Sequence, residues 1–183
     1  MAAQFVDSAH WRAHARRHPL RYRLAIVAPN ALEVVRYAGG WLFDRTTAGW
    51  EVTVLVDDHS DDRPLQILGA TVLDIEQSLA APKHDTWPHA VAVPTQMFED
   101  CRVRDGILDC LDHRSAELSL WGGALPAELE DRVRITHHRV SRAARAFKAC
   151  ALATAGFPAE EVGPTEVFRV SAPRATAGLV PTS

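Results

Sequence analysis

The spacing of apolar positions divides the chain into alternating strand-like and helix-like stretches. RYRLAIVAP, residues 21–29, is a short apolar run punctuated by Pro29 and Asn30, as a strand would be. WEVTVLVD (50–57) is apolar almost throughout, the pattern of a strand covered on both faces. ATVLDIE (70–76), HAVAVPT (89–95), AELSLW (116–121) and EVFRV (166–170) repeat the signal and bring the expectation to five to six strands.

Helical spacing fills the gaps. In ALEVVRYAGGWLFDRTTAG (31–49), Leu32, Val35, Leu42 and Phe43 share one face, and Gly49 marks the stop. Gly39-Gly40 weakens this helix by about 1 kcal/mol per glycine relative to alanine. Pro64 and Gly69 bracket a very short helix, and Phe98, Val103, Ile107 and Leu111 form a stripe on an acidic helix near 98–115. Residues 77–88, with two prolines, read as a loop. From Pro126 to about Ala155, Leu129, Val133, Thr136, Val140, Ala144, Phe147 and Ala151 recur at steps of three and four. That periodicity predicts one helix about 45 Å long.

Strands alternating with helices predict a three-layer, Rossmann-like α/β domain over 21–171. Its sheet should be mainly parallel, with helices on both faces and a long C-terminal helix. Residues 1–20 are expected to form a basic extension or helix, and 172–183 a disordered tail. At 183 residues, 47% of them hydrophobic, the chain suits one domain. No apolar run reaches the roughly 18 residues of a membrane span, and the start lacks the apolar core of a secretory signal. Cys101, Cys110 and Cys150 make no CxxC and no even framework, so a cytoplasmic location is expected.

In a parallel sheet, ligands gather beyond the carboxyl ends of the strands. Those ends carry Asn30, then Asp57, Asp58 and His59, then Thr95 and Gln96, and finally Gly122 and Gly123. Together they make a polar rim suited to an anionic or nucleotide-like small ligand. In WGGALPAELED (121–131) two glycines open the backbone to a ligand, and a helix starting at Pro126 would add its positive end. A plain strand-to-helix turn explains the same residues. Likewise Asp57 and Asp58 could simply end a strand, with Asp61 or Asp62 capping the short helix. Four carboxylates so close call for a nearby base, and His59 or Arg63 is the candidate.

VLVDDHSDDRPLQILGATV (54–72) resembles the opening of a two-component receiver domain, whose first strand ends in paired acids. That family also needs an aspartate after its third strand and a later strand-end lysine. HAVAVPT ends without an acid, and Lys148 falls mid-helix. LAIVAPN followed by VDDHSDD is similar to the start of family-2-like GT-A glycosyltransferases. The resemblance implies that Asn30, Asp57 and Asp58 line a nucleotide pocket, although the metal-binding DxD of that family is absent. A minimal GT-A-like nucleotide-sugar enzyme is therefore the alternative to a binding or regulatory module. The turn APNALE lacks the glycines of GxGxxG, and no GxSxG, HExxH or P-loop occurs, so no cofactor and no metal site is specified.

Charge is segregated beneath the net value of −3. Residues 8–23 hold Arg12, Arg16, Arg17, Arg21 and Arg23 without an acid, and 132–148 hold five arginines and Lys148, again without one. On the predicted long helix, Arg134, Arg139, Arg142 and Arg145 would form a basic face. Such a face could follow nucleic-acid phosphates, but no recognised DNA-binding motif accompanies it. The expectation is a solvated face, or pairing with the acidic 99–117 helix of the same or a second chain, which makes a homo-oligomer one outcome. Cys101, Cys110 and His113, and the His10, His14 and His18 series, read as a core thiol region and a solvated basic helix rather than metal sites.

Overall fold

The computed structural model describes residues 21–80, 88–157 and 162–171. The expected basic extension with its histidine series, most of the 77–88 loop, and the expected tail lie outside them. The elements run β1 (Arg23–Asn30), α1 (Ala31–Thr47), β2 (Glu51–Asp58), α2 (Arg63–Ile67), β3 (Thr71–Asp74), α3 (Ile75–Ala80), β4 (Ala90–Pro94), α4 (Cys101–His113), β5 (Glu117–Trp121), β6 (Val133–Arg139), α5 (Arg142–Thr154) and β7 (Thr165–Ser171). Short 3₁₀ turns occupy Thr95–Glu99 and Ala127–Leu129.

Seven strands form one mixed sheet in the order β3-β2-β1-β4-β5-β7-β6. The first five are mutually parallel, so the exits of β2, β1, β4 and β5 share one end of the sheet. β7 runs antiparallel to both β5 and β6. The sequence signal for five to six strands thus misses one.

Alternation along the strands supplies two cores. Leu24, Ile26, Val52 and Val54 face Val34, Val35 and Leu42 of α1 and Ala151 of α5. Val93, Leu118 and Leu120 face Phe98, Val103 and Ile107 on the α4 side. Burying one such side chain stabilises by roughly 1.5–3 kcal/mol. Three layers result.

The expected long helix is the main correction. Its stretch divides into a 3₁₀ turn, β6, and the 13-residue α5, about 20 Å long. Val133, Ile135 and Thr136 are β-branched, and β7 pairs with the whole of β6, offering hydrogen bonds that helical spacing does not advertise. The true start was marked, because Ser141 caps α5 by accepting from Ala144 N–H at 3.0 Å. Consequently Arg134 and Arg139 sit on a strand and Arg142 and Arg145 on a helix, and the continuous basic helical face is not formed. Lys148, read from the sequence as a mid-helix base, is buried.

A carboxylate enters the middle of α1. Glu166 of β7 accepts from Gly40 N–H at 2.8 Å and from Trp41 N–H at 2.7 Å. Lys148 of α5 donates to Glu166 Oε1 and to the Arg36 carbonyl, both at 2.6 Å. The pair is nearly sealed, with side chains 8% and 5% exposed. The two glycines serve this approach: a Cβ on Gly40 would lie 2.5 Å from Val140 Cγ1.

Asp44, near the end of α1, ties β6 and α5 to that helix. Its Oδ2 lies 2.9 Å from His138 Nε2 and accepts from Ser141 N–H at 3.1 Å. Burial pushes its pKa up, but hydrogen bonds from Ser141 and His138 outweigh this and hold it below the ordinary carboxylate value. Because the folded pKa is the lower one, its stabilisation is present above the unfolded value of about 3.9 and is lost as pH falls through the folded pKa. Urea unfolding between pH 5 and pH 3 should therefore show a steeper loss of stability in the native chain than in Asp44→Asn.

Candidate functional site

The parallel strands bring the expected rim residues to one end of the sheet, but they divide into two groups. Asn30 and Asp58 are register partners at the exits of β1 and β2. Gly122, after β5, lies against Thr95, after β4; a Cβ there would meet Thr95 Oγ1 at 3.3 Å. Gly122 has φ +99°, a left-handed conformation that favours glycine. The exits of β2 and β5 are three strand spacings apart, about 14 Å.

In the first group the polar atoms are largely engaged with the backbone or each other. Asn30 is the N-cap of α1, accepting from Glu33 N–H at 2.9 Å. Asp58 accepts from Ser60 N–H at 2.9 Å, and Asp61 from Arg63 N–H at 3.3 Å. His59 answers the crowd of acids, with Nδ1 2.9 Å from Asp62 and Nε2 3.7 Å from Asp74. Asp62 holds the N-cap position of α2, yet its side chain makes no cap bond and turns to His59 instead. Asp57 is exposed, as is Gln96.

The second group opens onto space. A recess of about 570 Å³ lies beyond β5, bounded by Gly122 and Gly123, by the first half of β7, and by Arg36 and Tyr37 of α1. Lys148, Glu166 and Trp121 also line it, and Arg169 and Ile135 complete the β7–β6 side. Three cations thus meet one carboxylate, and that carboxylate is already satisfied by Lys148 and two helix N–H groups. Arg36 stacks over Phe157 with its guanidinium carbon 4.7 Å from the ring centre, leaving its edge to solvent. Arg169 makes only a long contact to the Gly122 carbonyl, 3.4 Å. Among the described residues neither Arg36 nor Arg169 has a carboxylate partner.

Of the rim residues read from sequence, only Gly122 and Gly123 border this recess, and for a different reason than expected. Pro126 leads into a three-residue 3₁₀ turn rather than a helix, so no helix dipole points there. Arg36, Tyr37 and Arg169 went unnoticed because one lies mid-helix, the next beside it, and the third in an apolar strand. Glu33 was missed as well: its Oε1 lies 3.4 Å from Trp121 Nε1, linking the exit of β1 to that of β5.

Of the expected basic residues, Arg134 borders a second recess of about 260 Å³ on the α1 side with Arg45 and His138. Among the described residues Arg134, Arg139, Arg142 and Arg145 have no carboxylate partner, whereas Arg132 pairs with Asp112 of α4. All three cysteines are free, and Cys110 is buried. Among the described residues no group of three or more His, Cys, Asp or Glu is placed to hold a metal ion, and no helix is long and apolar enough to cross a membrane.

No protein-family model matches the chain, and no curated protein matches it. Solved structures do share its α/β fold. The antimicrobial reagent A40926 pseudoaglycone deacetylase Dbv21 superposes with a TM-score of 0.58 at 17% identity, covering 85% of this chain and 99% of that one. The zinc-inhibited form of teicoplanin deacetylase Orf2 gives 0.54 at 12% identity, covering 85% and 100%. GalB, the 4-carboxy-2-hydroxymuconate hydratase of Pseudomonas putida KT2440, gives 0.54 at 12% identity, covering 87% and 100%. At these identities the likeness concerns the fold.

Proposed function

We propose that the chain binds a small carboxylate- or phosphate-bearing molecule in the recess beyond β5. The observation that carries this reading is a recess bordered by two arginines, Arg36 and Arg169, that have no carboxylate partner among the described residues, beside the open backbone of Gly122 and Gly123. Guanidinium forks match planar or tetrahedral oxyanions, each charge-assisted hydrogen bond contributing about 1.5–3 kcal/mol. Tyr37, exposed at the rim, offers a flat apolar wall for the rest of the ligand. The expected anionic ligand is retained, and of the expected rim residues the reading keeps Gly122 and Gly123 on the β5–β7 side.

A thermal-shift panel of small carboxylates, sugar phosphates and nucleotides tests the reading. At least one should raise the melting temperature, and the rise should vanish in Arg36→Glu/Arg169→Glu. A panel in which no anion stabilises the native chain, or in which the double variant responds equally, would count against it.

A second reading, hydrolysis or hydration of a polar substrate at the same mouth, draws on the deacetylases and hydratase that share the fold. Glu33, half-buried and linked to the recess-lining Trp121 through its Nε1, is the carboxylate that would take a proton from water in this reading. The residues after β1 and β4, Asn30, Leu32, Glu33 and Thr95, do not make a metal-ligand set. Acetate release from an acetylated substrate by the native chain, at least about 100-fold slower in Glu33→Gln, would favour this reading.

A further inference from the structure

The outer edge of β6 ends the sheet. Among the described residues no strand pairs with it, and its seven residues, VRITHHR, contain no proline that would block pairing. One face of the β6–β7 pair carries two exposed apolar side chains, Ile135 at 64% and Val167 at 51%, among His137, Arg139 and Arg169. The register places them side by side, since Ile135 opposes Arg169 and His137 opposes Val167. An open edge beside an exposed apolar patch is the arrangement that adds a strand from another chain.

We propose that the added strand is β6 of a second copy, paired antiparallel across a two-fold axis through Ile135. Charge selects both partner and register. A two-fold axis requires each residue to meet its mirror position, so every candidate register can be tested on the sequence. An axis at Arg134 sets that arginine against itself. An axis between Ile135 and Thr136 opposes Arg132 and Arg139, and one between Thr136 and His137 opposes Arg134 and Arg139. An axis at Thr136 or His137 leaves Arg139 against Val133 or Ile135, with no attraction gained. The axis at Ile135 sets Ile135 against Ile135 and Arg134 against Thr136. It also carries Arg139 of each copy two residues past the partner copy's Val133, alongside the turn that holds the exposed Asp131. Opposite charges facing across strands attract, and like charges there destabilise. The contact is therefore an apolar centre flanked by two equivalent ion pairs, and it stands independently of the ligand reading.

Sedimentation equilibrium over about 1–100 µM, the range in which a modest strand-pairing interface dissociates, tests it with three variants. The native chain should shift from one to two copies as concentration rises. Arg139→Asp and Asp131→Arg should each weaken the dimer at least about tenfold, because each opposes like charges twice per dimer. The double swap Arg139→Asp/Asp131→Arg should restore it, while thermal melting of the monomers stays unchanged as a check on folding. A monomer at every concentration, the outcome if another segment or another protein covers this edge, overturns the proposal. So does a dimer indifferent to the single reversals, or one that the double swap fails to restore.

Discussion

Lys148→Met should lower the free energy of unfolding by about 3–5 kcal/mol, the usual result of stranding one member of a buried ion pair. Against a total of about 5–15 kcal/mol for a domain, that is a large fraction. Glu166 would remain charged and sealed from water, held only by the N–H groups of Gly40 and Trp41. The Arg36 carbonyl would also lose its donor. Simple removal of both charges is not a remedy here, unlike many buried pairs, because Glu166 also serves two backbone donors. Glu166→Leu/Lys148→Met should therefore remain strongly destabilised. Glu166→Gln/Lys148→Met, which keeps one acceptor and buries no charge, should recover part of the loss. Urea unfolding of the four chains decides it. A Lys148→Met variant within about 1 kcal/mol of native would mean that the pair is not the closed unit described.

Gly40→Ala should also destabilise, by about 1–3 kcal/mol, although alanine favours a helix by about 1 kcal/mol over glycine. The sign is decided by space: the new methyl would fall 2.5 Å from Val140 Cγ1 and 3.0 Å from Glu166 Oε1. Val140→Ala in the same chain should relieve the first clash, so the double variant should be more stable than the sum of the single effects. A stabilised Gly40→Ala would show that α5 and β7 do not approach α1 as closely as drawn.

Much of this fold was legible because the parallel strands are nearly pure apolar runs. WEVTVLVD and HAVAVPT can only be covered strands, and β2-β1-β4-β5 line up as their pattern implies. What failed is the stretch from Pro126, where steps of three and four fit a helix as well as they fit a strand followed by a helix. The partner that decided the matter, β7, comes some thirty residues later, and no local signal carries that pairing. Only Ser141, placed as a cap, and the β-branched VRIT hinted at it.

The site was legible in outline only. Strand exits pointed to the end of the sheet at which the recess lies, and Gly122 and Gly123 border it. The acids after β2 drew attention by their density, yet His59 and backbone N–H groups absorb most of them. Arg36 and Arg169 border one recess because α1 packs beside β7, where Glu166 and Lys148 join the two elements. Spacing along the chain does not report such a meeting.

The most direct measurement is an amide and arginine Nε NMR titration of the native chain with the anion that stabilises it best. Shifts should saturate together at Gly122, Gly123, Arg36 and Arg169, with the Asp57–Asp62 turn unmoved. Saturating shifts at that turn, with those four residues still, would contradict an anion site beyond β5.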